Sequence, residues 1–333
     1  MDLSTSMMGL RLAHPFVAGA SPLGRELDSV KRLEDSGAAA IVLPSMFEEQ
    51  VTLASEGRIR HHDVWELRGV ISLQHFPSSN EYAFTPDQYA EHVARVRRAV
   101  SIPVIGSLNG TTAESWLTFS RLIEQAGAHG LELNLYEVVA DPKISSAAIE
   151  HQIVHLAAEL KQFLKIPVAI KLSPFFASIG NVVTRLDEAG AAAVVMFNRF
   201  YQPDFDINTL HTVIDARLSS SSELLLRLRW LAILSGRVKL SLIASGGVAC
   251  AEDGIKALLA GADAVQVASA LLRHGPGYFT TLRGGLATWM ERHSFSTLND
   301  VRGRMSLRDV DDPSAFERAH YLRALNSWKA ENI

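Results

Sequence analysis

Lys171 stands in the run PVAIKLS (Pro167–Ser173), between the apolar residues Ile170 and Leu172. A lysine that only needed water would sit on a helix or loop. One borne on a strand can serve as a fixed cation for an anionic ligand or as a Schiff-base nucleophile. The plainer alternative is a side chain whose tip reaches out of the strand end to solvent. Two asparagines close neighbouring runs: Asn134 in GLELNLY (Gly130–Tyr136) and Asn198 in AVVMFNR (Ala193–Arg199). An amide offers both a donor and an acceptor to a planar heterocycle. A lone Asn is more often a turn former, but the three residues together point to a ligand. Glu137, just beyond Asn134, can act as an acid or base, or be a solvated loop carboxylate. Farther on, Gly246 and Gly247 in LSLIASGGV (Leu240–Val248) leave backbone N–H groups open to a ligand, with a helix start close behind. The next run, DAVQVASAL (Asp263–Leu271), carries Ala268 and Ser269 at its polar end. Cation, amides, carboxylate and a grip for phosphate make up the candidate chemistry.

The elements that must position these residues alternate along the chain. Strand-like runs occur at His14–Ala20, Ala39–Ser45 and Ile102–Leu108, and then at the five segments just quoted. The last two, Leu240–Val248 and Asp263–Leu271, are short and rich in Val, Ile and Ala, as a buried parallel strand is. Amphipathic stretches such as Ser29–Ser36, Pro86–Val100, Ala113–Ala126 and Ile149–Leu164 lie between them. Three helix-to-strand joints repeat one pattern: EDSGAAA (Glu34–Ala40), EQAGAHG (Glu124–Gly130) and DEAGAAA (Asp187–Ala193); LLAGADA (Leu258–Ala264) is nearly the same. Gly supplies a left-handed C-cap in each, and Ala lets the next strand enter closely. Eight strands in βα order predict an α/β fold, a single (β/α)8 TIM barrel spanning 1–333 as one domain. Long insertions follow strands 2 and 6: Met46–Tyr82, with one more strand candidate at Gly69–His75, and Phe200–Arg237, with SSSS (Ser219–Ser222) before a helical ELLLRLRWLAIL. In such a barrel the C-terminal strand ends face the active site, and the loops after strands 7 and 8 usually hold a phosphate. Those ends add Ser21, Ser45, Asn109 and Ser173 to the polar set.

Composition narrows the classes. Of 333 residues, 47% are hydrophobic and 20% charged, ordinary for a globular protein. A net charge of −4 gives no reason to expect nucleic acid or a membrane surface as partner. A single cysteine, Cys250, excludes an internal disulfide framework; it reads as packed rather than reactive and fits a reducing, cytoplasmic setting. No apolar stretch approaches the roughly 20 residues that span a bilayer, and no signal peptide is expected at the N-terminus. The histidines, His61 and His62 included, lack metal-like spacing and read as surface or loop residues; no metal is expected.

With these residues assembled, the chain resembles the dihydroorotate dehydrogenase family of FMN-dependent barrels over nearly its whole length. The likeness is to the cytosolic branch and to the related barrel domain of dihydropyrimidine dehydrogenases. The matching motifs are PFVAGASP (Pro15–Pro22), ELNL (Glu132–Leu135), PVAIKLSP (Pro167–Pro174), the strand-end Asn198, ASGGV (Ala244–Val248) and VQVASAL (Val265–Leu271). The resemblance implies that Ala20 and Ser21 touch the flavin ring. Lys171 would lie against its pyrimidine edge and stabilise negative charge there. Gly246, Gly247, Ala268 and Ser269 would hold the ribityl phosphate. Asn134 and Asn198 would bind the substrate, a small molecule, and a homodimer follows by family analogy.

Departures from the family are specific. Its cytosolic members follow ELNL with Ser-Cys-Pro-Asn, the Cys acting as base; here Tyr136, Glu137, Val138 and Val139 stand instead. A Thr-Lys-Ser motif after the second strand is replaced by Leu43, Pro44 and Ser45, and an Asn-Ser-Met-Gly-Leu motif by ISLQHF (Ile71–Phe76). The flavin shell is kept and the orotate shell half rewritten. Glu137 then becomes the candidate base, paired with Lys171 as the catalytic set. The expectation is hydride transfer between FMN and a small cyclic amide or carboxylate, dihydroorotate or another dihydropyrimidine. A Schiff-base aldolase or phosphosugar lyase using Lys171 is the rival from another class, and a non-catalytic flavin-binding protein is a third reading. With no iron–sulfur cysteines and no dinucleotide fingerprint, an NAD-linked electron path would need another protein.

Overall fold

The computed structural model describes residues 1–47, 84–110, 113–135, 138–139, 141–199, 202–213, 217–316 and 318–327. The chain opens with an antiparallel hairpin, β1 (Thr5–Met7) and β2 (Leu10–Leu12). Its two-residue turn places Met8 and Gly9 at φ 57° and 78°, the all-positive geometry that matches strand twist. Then come β3 (Phe16–Ala18), α1 (Leu27–Asp35), β4 (Ile41–Phe47), α2 (Pro86–Ala99), β5 (Val104–Asn109), α3 (Ala113–Gln125), β6 (Gly130–Asn134), α4 (Ser146–Phe163), β7 (Val168–Leu172), α5 (Ile179–Glu188) and β8 (Ala193–Met196). A second hairpin, β9 (Asp204–Asp206) and β10 (His211–Val213), precedes α6 (Leu224–Leu234). The order ends with β11 (Ser241–Ser245), α7 (Ala251–Ala260), β12 (Ala264–Val267), α8 (Ser269–His274), α9 (Tyr278–Arg292) and α10 (Arg318–Asn326). Strands β3 to β8 with β11 and β12 form a closed parallel barrel, β12 pairing with β3 and β8 with β11. All eight predicted strand runs are in it, each losing a residue or more at one end or both, while β4 and β5 run on past their predicted ends to Phe47 and Asn109.

The glycine joints behave as their pattern predicts: Gly37, Gly127, Gly190 and Gly261 lie at φ 91°, 88°, 88° and 116°. The acid three residues earlier has its own task. Glu34 accepts from the N–H groups of Ser101 and Ile102, Glu124 from those of Lys165 and Ile166, and Asp187 from those of Lys239 and Leu240. Each carboxylate thus ties the end of one helix to the chain entering a later strand. The fourth joint carries Leu258 in that place, and its Asp263 instead accepts from Leu242 N–H in the preceding barrel strand, β11.

Two apolar clusters follow from the two faces of the strands. The larger lies between strands and helices. The smaller gathers Val17, Val42, Ile105, Ala169, Ala193, Val195, Ile243 and Ala264 with Met7, Met8 and Leu12 of the first hairpin, which plugs that end of the barrel. Stepping two residues on from Ile105, Ala169, Ile243 and Ala264 gives Ser107, Lys171, Ser245 and Gln266. The barrel interior therefore changes from apolar to polar toward the C-terminal strand ends. In β4 the register jumps between Val42 and Ser45. Pro44 has no N–H for the ladder, and the resulting bulge turns Pro44 and Ser45 toward the mouth.

The histidine reading needs correction. His14 and His92 are buried, and each ring meets a backbone carbonyl at 2.7 Å, of Gly37 and Gly24 respectively. Both are structural, and burial holds both pKa values below the ordinary range. The candidate strand Gly69–His75, with His61 and His62, lies outside the described residues. Among the described residues, no helix is long and apolar enough to cross a membrane.

Candidate active site

A cavity of ≈580 Å³ opens at the C-terminal end of the barrel, within the size range of a nucleotide-like ligand. Ala20, Ser21, Asn134, Lys171, Asn198, Gly246, Ala268 and Ser269 line it, joined by Ser45, Phe47, Ser219, Gln266 and two arginines, Arg25 and Arg199. Gly247 does not line it; its N–H is turned away and donates to Ser219 Oγ at 3.2 Å. Asn109 is buried beside the site, and Ser173 lines a separate small pocket. Glu137 lies outside the described residues.

The floor is polar and closed on itself. Neighbouring strands set Asn134 opposite Lys171 and Glu132 opposite Ala169. Lys171 Nζ reaches Glu132 Oε1 at 3.0 Å, with both residues buried (8% and 1% exposed). The other carboxylate oxygen accepts from Gln266 Nε2. Either charge alone at this depth would carry a large desolvation cost, which the pair offsets. Gln266 Oε1 is buried with no hydrogen-bond partner among the described residues. The need of Glu132 for a donor fixes the amide's orientation, and so leaves an acceptor unsatisfied in the cavity wall. Above the floor Asn198 Nδ2 donates to Asn134 Oδ1 at 2.5 Å. To one side Ser45 and Ser107 share a hydroxyl hydrogen bond of 2.7 Å, and Tyr89 exchanges two bonds with the Ser107 backbone.

The opposite end is a cradle of hydroxyls and backbone. Ser269 Oγ accepts from both the N–H and the Oγ of Ser219, each at 3.0 Å, which leaves the Ser269 proton as a donor. Ser219, the first of the serine run in the second insertion, is therefore part of the wall of the site. Gly246 and Gly247 turn at φ 83° and 81°. A Cβ on Gly247 would stand 2.4 Å from Leu224 N, so α6 packs directly against the turn. The backbone leading into α7 is already engaged, contrary to the open N–H groups the sequence suggests. Asp253 Oδ2 already accepts from Ala249 N, Cys250 N, Cys250 Sγ and Ser221 Oγ. Cys250 is packed there, its thiol pushed up to about 11 by burial.

A fixed cation, an unsatisfied buried acceptor and a cradle with no carboxylate among its described residues fit a flavin mononucleotide. A sequence model described as dihydroorotate dehydrogenase matches residues 80–290. The chain belongs to the dihydroorotate dehydrogenase family. The chain is 27% identical to "Dihydroorotate dehydrogenase B (NAD(+)), catalytic subunit" of Thermoplasma acidophilum over 315 residues, covering 91% of this chain and 98% of that one. The protein of the same name in Methanocella arvoryzae is 26% identical over 310 residues, 91% and 97% of the two chains. Enzymes of the dihydroorotate dehydrogenase family are FMN-dependent oxidoreductases acting on CH–CH bonds, which sets the Schiff-base lyase aside.

Within that family setting, Glu132, Gln266, Ser219, Arg25, Arg199 and Arg227 are the residues that sequence reasoning passed over. Two had a readable signal. Glu132 lies two residues before Asn134, hence on the same strand face, and Gln266 is a polar residue in an apolar strand, as Lys171 is. Ser219 and Arg227 had none, because only the closed barrel brings the second insertion against β11 and β12.

Proposed function

We propose that the chain oxidises a CH–CH bond of a small cyclic amide or carboxylate, dihydroorotate or another dihydropyrimidine, using FMN. The observation that carries this reading is the buried Lys171–Glu132–Gln266 floor beneath the Asn134–Asn198 pair in one cavity. Bound FMN would supply the two-electron acceptor. Lys171 and Gln266 would meet the ring from the floor, Ala20 and Ser21 from the end of β3, and Gly246, Ala268, Ser269 and Ser219 would hold its phosphate end. Asn134 and Asn198 would orient the substrate's amide edges, exchanging their mutual bond for bonds to it. Glu137, at the place of the family's catalytic Cys, would hold or accept the substrate proton.

The relatives' printed names include "catalytic subunit" and NAD(+), and this chain has one cysteine. Both support transfer of the electrons to a second protein. A homodimer, a single domain over 1–333 and a cytoplasmic setting complete the proposal.

Anaerobic titration of the flavin band with dihydroorotate, dihydrouracil and dihydrothymine tests the substrate class. At least one should bleach the band stoichiometrically; a band that stays oxidised with all three contradicts the reading.

A further inference from the structure

Arg227 is a buried cation with no direct ion pair among the described residues. It is 5% exposed, on the face of α6 that packs against the end of β11. Nε donates to Ser245 O at 3.0 Å and Nη1 to Glu223 O at 2.7 Å, both neutral carbonyls. The Glu223 carboxylate turns instead to Arg199, at 3.5 Å. Burial lowers its pKa more than the Glu223 carboxylate, acting without direct contact, raises it. A buried guanidinium is normally paired with a carboxylate or phosphate, so this arrangement is incomplete.

What lies on the other side of the guanidinium indicates the missing charge. A Cβ on Gly246 would stand 3.0 Å from Arg227 Nη2, so the group lies directly behind the Gly246 turn. Ser245 and Gly246 themselves line the cavity, together with Ser219 and Ser269. No Asp or Glu among the described residues lines that cavity. One layer of backbone therefore separates a buried positive charge from a set of hydrogen-bond donors. Attraction across so thin and poorly solvated a layer is screened far less than at a surface.

Building on the flavoprotein reading above, we infer that Arg227 is a positioning residue that supplies the counter-charge for the phosphate of FMN through the Ser245–Gly246 turn. It thereby sets the preference of this chain for FMN over riboflavin, which has the same ring and no phosphate. A residue that only braced the turn would serve the two flavins equally.

The test is fluorescence titration of the flavin-stripped full chain with FMN and with riboflavin, for the wild type, Arg227→Gln and Arg227→Lys. Arg227→Gln is expected to weaken FMN about tenfold or more while moving riboflavin less than about twofold. Arg227→Lys, which keeps the charge, should retain most of the FMN preference. Inorganic phosphate should raise the melting temperature of the stripped wild type and not that of Arg227→Gln. Parallel weakening of both flavins, or a Lys variant as unselective as the Gln variant, overturns this inference and leaves the flavoprotein reading standing. If Arg227→Gln does not fold, Arg227→Lys decides: a retained preference supports the charge role and a lost one overturns it. A wild type that binds neither flavin overturns both readings.

Discussion

Lys171 Nζ and Glu132 Oε1 lie 3.0 Å apart on adjacent barrel strands, in a pair almost wholly shielded from water. Removing one partner leaves the other as an uncompensated buried charge. Glu132→Gln should therefore cost about 3–5 kcal/mol in stability. The double variant Glu132→Gln/Lys171→Met should recover part of that loss. Urea denaturation of the four proteins in the cycle measures it; strictly additive losses would mean that the two groups do not depend on each other.

Glu137 stands at the family's base position. If it handles the substrate proton, Glu137→Gln should lower kcat by about 10²–10⁴ while the flavin spectrum is unchanged. Full turnover in that variant would dismiss the role.

Gly247 has a left-handed backbone and no room for a side chain: an added Cβ would meet Leu224 N at 2.4 Å and Leu224 Cα at 2.7 Å. Both atoms are backbone and cannot swing aside. Gly247→Ala should destabilise the chain by about 1–3 kcal/mol and weaken FMN by displacing Gly246 and Ser219. Comparing Gly247→Ala with Gly127→Ala separates the effects. Gly127 has the same handedness but nothing within 4 Å of an added Cβ, so it should lose stability without losing flavin affinity.

Glu124 gives a pH signature. Burial alone would raise its pKa, but bonds from Lys165 N–H, Ile166 N–H and Arg121 together hold it below the ordinary 4.5. A carboxylate with a depressed folded value adds stability above its unfolded pKa and loses it as pH falls through the folded value. Glu124→Gln should therefore melt below the wild type at pH 7, with the gap closing below about pH 4.5. A gap that is constant from pH 7 to pH 3 would contradict this.

Most of the barrel was legible because its rules are local. Apolar runs of strand length and the Gly-Ala joints are read within seven residues, and all eight runs became strands. The acid of the first three joints was visible too, but its partner lies two barrel strands on, so its bond was not. In the site, Lys171, Asn134 and Asn198 announced themselves as polar residues in or at the end of strands. Ser219 and Arg227 were hidden because their surroundings resemble any surface insertion and any Leu-rich helix. The approach to α7 was misread for a related reason: Gly-Gly before a helix suggests free N–H groups, and only the folded chain shows Asp253 taking those of Ala249 and Cys250 and Ser219 Oγ taking that of Gly247.

The central claim is that this barrel holds FMN over the Lys171–Glu132 floor. The visible absorption spectrum of the purified protein, with the released cofactor identified, tests it most directly. The expected result is a flavin spectrum near one equivalent per chain, with FMN and not FAD or riboflavin released on denaturation. A colourless protein that FMN cannot reconstitute would contradict it.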